Sequence, residues 1–247
     1  MIDVERHGEI AVVHLRAGKA NSMNIAVLDA IGHALEEAHD ARALVLTGEG
    51  NVFSAGLALP ELIELDRRGM TLLIERFEQA MHRMLAFPRA TVAAINGHAF
   101  AGGCVLALMC DARVMAAGKC LVGLNEVQLG IGLPALVVEG IRARLSPAAF
   151  GVVALEGRLF VPEDALRVGL VDEVVDRSAL LERALAIASA RGAAPDAYMQ
   201  IKGALLAPTL AAWHRTAADE REQWLDTWFS ADAQTLLRAA VDRLAKR

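Results

Sequence analysis

Twenty-one consecutive residues, Ala90 to Cys110, contain no aspartate, glutamate, lysine or arginine. A stretch this apolar is either a membrane span, which needs ~20 such residues, or the buried centre of a globular core. Asn96-Gly97-His98 and Gly102-Gly103 interrupt it. In lipid, those turns would leave backbone groups without hydrogen-bond partners. The segment therefore reads as core: a buried strand over Thr91 to Ile95, a tight turn, and a buried helix through Cys110.

The same unit occurs earlier in the chain. Ala43-Leu44-Val45-Leu46-Thr47 is a short buried strand ended by Gly48-Glu49-Gly50-Asn51, and Phe53-Ser54-Ala55-Gly56 parallels Phe100-Ala101-Gly102-Gly103. Beyond Pro60 a helical stretch is expected to about Phe87, broken near Gly69. Upstream, the β-rich runs Ile2 to His7 and Ile10 to Leu15 flank Gly8-Glu9 and predict a hairpin. Asn21-Ser22 are candidate caps for a helix over Ile25 to His39, where Val27, Leu28, Ile31 and Leu35 recur at helical spacing. Ala112 to Ala116 and Leu121-Val122 continue the strand pattern. After Pro134 the chain reads mostly helical, apart from Leu170 to Val175. From about Pro195 to Arg247 several helices are expected, carrying all three tryptophans, Trp213, Trp224 and Trp228. No low-complexity linker sets this block apart. The organisation expected is an α/β core over 1–194 with an appended helical region over 195–247.

At 247 residues the chain is long enough for one or two domains of ~150 residues. Apolar residues at 55% and charged residues at 22% exclude a disordered chain. The formal charge of −5 disfavours non-specific binding to nucleic acid or to an anionic membrane. It does not disfavour a small polyanion, which needs only a local basic rim. Cys104, Cys110 and Cys120 cannot pair completely and show no CxxC spacing, so neither a disulfide framework nor a metal site is expected. Buried thiols in a reducing, cytoplasmic setting fit better. Met1-Ile2-Asp3-Val4-Glu5 has none of the features of a secretory or transit leader.

The repeated turns offer chemistry. A glycine-rich turn from strand to helix lets the backbone approach a ligand and leaves amide N–H groups unpaired at the helix start. Two such turns facing each other could aim the N–H of Leu57 and the N–H of Gly102 at one developing oxyanion. Taken singly, each turn reads better as a device for tight packing, because Ala-Gly pairs are common. Glu126, in Gly123-Leu124-Asn125-Glu126-Val127-Gln128-Leu129-Gly130, is one carboxylate between apolar stretches, which would raise its pKa toward that of a general base. From the residues alone, a solvated loop glutamate is the plainer reading. Ser54, His98 and Asp111 do not make a nucleophile elbow, because Val52 stands where that motif needs glycine. No GxxxxGK[ST] or GxGxxG phosphate loop is present.

Several segments together resemble the crotonase (enoyl-CoA hydratase/isomerase) superfamily over nearly the whole chain. They are Asn21-Ser22-Met23-Asn24, Phe53-Ser54-Ala55-Gly56-Leu57, Ile95-Asn96-Gly97, Ala101-Gly102-Gly103-Cys104 and Gly169-Leu170-Val171-Asp172. The resemblance implies a spiral of ββα turns and a helical tail that builds a homotrimer or a dimer of trimers. It implies an acyl-CoA thioester substrate whose carbonyl sits in a two-amide oxyanion hole, which by motif position is Leu57 and Gly102. Coenzyme A would be part of the substrate, with no separate cofactor and no metal.

Hydratases of the family carry one glutamate three residues after the oxyanion glycine and another in a later Gly-x-x-Glu segment. Here those positions are Val105 and Glu126. The segment Cys120 to Ile131 is similar to that of the mitochondrial 3-enoyl-CoA to 2-enoyl-CoA isomerases, which also lack the first glutamate. The tail from Trp224 through Phe229-Ser230 to Leu244-Ala245-Lys246 is similar as well. The resemblance thus implies a double-bond isomerase with Glu126 as sole acid/base. Ala55, Gly56, Leu57, Ala58 and Leu59 would border the pantetheine and thioester, Asn125 the acyl chain, and Gly102 and Val105 would also bind substrate. Ala58 departs from the family, which usually has aspartate there. Arg16 and Lys19 fall near the adenine-binding loop and read as phosphate contacts or as solvated surface charge. The alternatives are an enoyl-CoA hydratase working with one glutamate, and a non-catalytic crotonase-fold binding protein such as an RNA-binding relative. The charge of −5 and the absence of a dense basic stripe speak against the last.

Overall fold

Residues 2–245 are described by the computed structural model, so the last two residues of the expected tail, Lys246 and Arg247, lie outside the described residues. Strands β1 (Ile2–His7) and β2 (Ile10–Leu15) form the hairpin, with Gly8 at φ 62° in its turn. From β2 onward the neighbours run parallel: β3 (Ala43–Gly48), β5 (Ala90–Ile95), β7 (Ala112–Ala116) and β9 (Glu173–Val175) complete a sheet of order β1-β2-β3-β5-β7-β9. A smaller parallel sheet has the order β4-β6-β8, from Val52–Ser54, His98–Phe100 and Val122–Gly123. Three times, then, the chain leaves the large sheet, adds a strand to the small one and enters a helical segment. Two of these passes are the units visible in the sequence. The third runs through β7 and β8 into a 3-10 turn over Glu126–Leu129.

Apolar residues cover both faces of the large sheet, which is why its strands read as unbroken hydrophobic runs rather than alternating ones. Leu44 and Leu46 of β3 point into the main core, against α1 (Ile25–Glu37), α3 (Arg67–Leu85) and α4 (Gly102–Leu108). Ala43 and Val45 point the other way, onto Ala184 and Ala188 of α7 (Leu180–Arg191). Small side chains on that face let the helix pack close. The crossover helices α2 (Leu59–Leu62), α5 (Ala135–Arg144) and α6 (Pro162–Arg167) lie between these elements in the chain.

Three local expectations are corrected. The N-cap of α1 is Asn24, whose side chain accepts from the Val27 N–H at 3.1 Å, and the helix ends at Glu37 rather than His39. Asn21 instead sits buried at φ 47°, accepting from the Ala17 N–H and donating to the carbonyls of Val52 and Phe53. Gly69 does not break a helix. The break falls between α2 and α3, where the Asp66 side chain caps α3 by accepting from the Gly69 N–H at 2.7 Å. The tail is two helices rather than several: α8 (Pro195–Trp228), 34 residues long, and α9 (Ala231–Ala245). Pro208 lies inside α8 and forfeits one ladder hydrogen bond there.

Ion pairs fasten α8 to the core. Lys202, only 8% exposed, donates to Asp111 Oδ2 at 2.7 Å, while Arg144 of α5 takes Asp111 Oδ1 at 2.9 Å. Further along, Arg221 holds the buried Glu78 of α3 at 2.7 Å. Among the described residues, no helix is long and apolar enough to cross a membrane.

Candidate active site

The first and second passes of the spiral end in turns that touch. Ser54 wires the first turn: its hydroxyl donates to the Asn21 carbonyl at 2.7 Å and accepts from the Gly56 N–H at 3.1 Å. Residue 56 has φ +85°, and a Cβ there would meet the Phe100 carbonyl oxygen at 2.7 Å and the Gly102 nitrogen at 2.9 Å. Only glycine permits that approach. Gly103 answers from the other side, since a Cβ on it would collide with the Ser54 carbonyl. Ala101, just before α4, holds φ 47°, a conformation that L-residues pay of order 1–3 kcal/mol to adopt.

These contacts leave two amides free. Met23 and the first turn form a parallel bridge in which Met23 N–H donates to Gly56 O and Ala58 N–H donates to Met23 O, so the Leu57 N–H between them has no partner among the described residues. The Gly102 N–H, first in α4, has none either. Both residues line one cavity of about 720 Å³, predominantly apolar, together with Val105, Asn125 and Glu126.

Glu126 is delivered by the third pass. It opens the 3-10 turn after β8, 8% exposed, with Oε2 shielded from solvent and without a hydrogen-bond partner. Burial pushes its pKa up to about 7, opposed only by a backbone hydrogen bond. Among the described residues no cation holds it in the charged form, unlike Glu78 beside Arg221. The Cys104 thiol on α4 is pushed up first by its own burial and next by the charge of Glu126, so the carboxylate stands close to the first turn of α4. Val105, buried in that turn, offers neither a proton nor a hydrogen bond to the cavity. Among the described residues, Glu126 is the only carboxylate that lines the cavity.

Other expected residues fall as follows. Ala55, Leu57 and Leu59 line the cavity, and Gly56 and Ala58 are not among its lining residues. Ala58 belongs to an apolar cluster with Leu62, Ile63 and Met70, where an aspartate would have to be buried. Asn125 lines the cavity with a buried, unpartnered Oδ1. The Arg16 guanidinium is engaged by Asp3 and Glu49 on the surface. Ser54, His98 and Asp111 do not converge: Asp111 is locked by Lys202 and Arg144, and His98 Nδ1 accepts from the Leu121 N–H at 3.2 Å. Among the described residues, no three histidine, cysteine or acidic side chains cluster to hold a metal.

The chain matches the enoyl-CoA hydratase/isomerase family over residues 5–242. It belongs to that family. The human mitochondrial enoyl-CoA delta isomerase 1 is 29% identical over 99% of this chain and 83% of its own length. The 2,3-dehydroadipyl-CoA hydratase of Escherichia coli is 31% identical over 97% of this chain and 91% of its own. The crystal structure of human mitochondrial delta3-delta2-enoyl-CoA isomerase superposes with a TM-score of 0.93 at 28% identity, covering 99% of this chain and 98% of that one. The fold is thus the crotonase fold, and relatives named for isomerisation and for hydration stand at similar distance.

Sequence reasoning missed much of the cavity's apolar wall. Ile74, Phe77, Ile131, Val137, Trp224 and Trp228 all line it. The spacing of Ile74 with Phe77 and of Trp224 with Trp228 marks those four only as helical core. Nothing local distinguishes a side chain that packs on a cavity from one that packs on a neighbour.

Proposed function

We propose that this protein is an acyl-CoA double-bond isomerase that converts 3-enoyl-CoA to trans-2-enoyl-CoA, with Glu126 as sole acid/base. In this reading the thioester carbonyl accepts from the N–H groups of Leu57 and Gly102, and the carboxylate removes a proton from the α carbon. The electron pair moves into a dienolate whose oxygen the two amides stabilise, each such donor contributing ~3 kcal/mol or more. Glu126 then returns the proton to the γ carbon on the same face, and the double bond ends in conjugation with the thioester. The positive end of α4 favours the same negative charge.

What carries the reading is the single carboxylate. Moving a double bond needs one base that gives back the proton it took. Hydration needs a group to activate water and another to protonate carbon, and the family's second carboxylate position is Val105 here. A pKa of about 7 suits both halves of the shuttle, since base and conjugate acid are then populated together near neutrality. An apolar Val105 also keeps water from adding to the dienolate.

The second reading, a hydratase working with one glutamate, draws support from the E. coli relative named for that reaction. Incubation with 3-enoyl-CoA and with 2-enoyl-CoA separates the two, with hydration read by mass and conjugation by the absorbance of the 2-enoyl thioester. An isomerase gives conjugated product of unchanged mass from the first and leaves the second alone. A 3-hydroxyacyl product from 2-enoyl-CoA, formed faster than conjugated product from 3-enoyl-CoA, would favour the hydratase instead.

A further inference from the structure

The cavity has an apolar end. Past Glu126 its wall passes to Leu129 and Ile131, and the indoles of Trp224 and Trp228 stack there at 5.5 Å between ring centroids. On the far side of that end lies a separate surface groove of about 480 Å³, lined by Thr216, Asp219, Glu220, Gln223 and Thr227. Gly132 and Trp224 line both spaces. The indole is 4% exposed, and its Nε1–H donates to the Gly132 carbonyl at 2.8 Å. A Cβ placed on Gly132 would rest 3.6 Å from Trp224 Cδ1, so backbone and ring are in close contact along this seam. The Trp224 ring, pinned by that hydrogen bond, and the Gly132 backbone form the wall that the cavity and the groove share.

The divider is also near the chemistry. The Ile131 N–H donates to the Glu126 carbonyl at 3.2 Å, which sets the Gly132 carbonyl within about 10 Å of that of Glu126 given the reach of two residues of backbone. An acyl tail that starts beside Glu126 meets the indole after a short run.

We propose that Trp224 is the floor of the acyl-chain pocket and sets the longest chain the protein accepts. The inference rests on the acyl-CoA reading of the cavity but not on isomerase against hydratase. Up to the floor, each added methylene leaves water for an apolar wall. Beyond it, added methylenes must bend back or push against the ring. With the ring removed, a longer tail threads through to the groove. A tail ending in a carboxylate gains nothing there, because Asp219 and Glu220 repel it.

The test is binding of saturated acyl-CoA thioesters of increasing length, which react in neither scheme, to the full-length protein and to Trp224→Leu and Trp224→Phe. For the unaltered protein, affinity should rise about fourfold per methylene and then level off. In W224L the plateau should move out by at least two methylenes, and in W224F, which keeps a ring, it should stay. Thioesters with an ω-carboxyl should show no shift in W224L. Circular dichroism at the assay temperature confirms that each variant is folded, and W224F keeps the comparison informative if W224L is not. A plateau at the same length in the unaltered protein and W224L, or one that moves equally in W224F and W224L, would overturn the proposal. If no saturated acyl-CoA of any length binds the unaltered protein, the acyl-CoA reading itself is wrong, and that result is distinct from an unmoved plateau.

Discussion

Glu126 shows what burial without a counter-charge does to one residue. Its pKa rises from 4.5 to about 7 chiefly through burial. A base must be deprotonated to act, so kcat/KM on 3-enoyl-CoA should climb as pH rises through about 7 and then level off. Stability should move the opposite way. Between pH 4.5 and about 7 the folded chain holds a proton that the unfolded chain has released, so the folded state loses stability as pH rises through that window. The full cost, on the order of 3 kcal/mol, is present above it. Glu126→Gln should therefore raise the denaturation midpoint at pH 8 and leave it nearly unchanged at pH 4, as urea titrations at both values would read. A midpoint in E126Q that is no higher at pH 8 than the parent's would mean the carboxylate is better solvated than its burial indicates. Gly56→Ala tests the facing amides. Its Cβ would press on the Gly102 nitrogen and the Phe100 carbonyl, and kcat should fall by ~10²–10³, the loss typical of one oxyanion donor. Retention of a kcat within about threefold would take the Gly56–Gly102 contact out of the chemistry.

At the level of elements, the strands and the paired turns were legible because their signals are local: unbroken apolar runs, glycine pairs and a two-residue hairpin turn. The third pass of the spiral was not. Its strand β8 has two residues and no Phe-x-Ala-Gly signature after it, so the turn carrying Glu126 looked like a loop, and only tertiary packing makes it a buried one. Caps were misplaced for a related reason. Asn21 and Asn24 are equally good capping residues, and what selects between them is that Asn21 is committed to Val52 and Phe53, thirty residues away in the sequence. The docking of α8 was invisible as well, because it depends on charges far apart in sequence. Glu78 and Arg221 form one such pair, and burial holds the Glu78 pKa above its ordinary value even with the arginine in place. Arg221→Met leaves that carboxylate buried and alone, and should cost ~3–5 kcal/mol at pH 7. The loss should be smaller at acid pH, where Glu78 takes up a proton. Thermal melts at both pH values check this, and equal losses at both would show that the pair contributes through packing alone.

For the whole molecule, Leu57 and Gly102 were legible as candidates by their turns, whereas Glu126 became a candidate through the family resemblance and not through its own loop. The cavity's apolar wall was not legible, since Trp224 and Ile74 come from helices that meet only in the folded chain. The expected trimer belongs to this scale too. Leu155 and Leu205 are 76% and 74% exposed in one chain, and a partner subunit would cover them if they lie in the interface. Sedimentation should give a mass of three chains, or six, and Leu205→Glu or Leu155→Glu should lower it. A single-chain mass for the unaltered protein would contradict the trimer.

The central claim is that one carboxylate carries a proton between two carbons of an activated acyl chain. It is tested most directly by incubating 3-enoyl-CoA in deuterated water with the unaltered protein and with E126Q, and following both turnover and deuterium at the α and γ carbons. The expected result is conjugated product from the unaltered protein, and from E126Q neither product nor α-carbon exchange, with acyl-CoA affinity nearly intact. Undiminished turnover in E126Q would show that the proton travels by another residue.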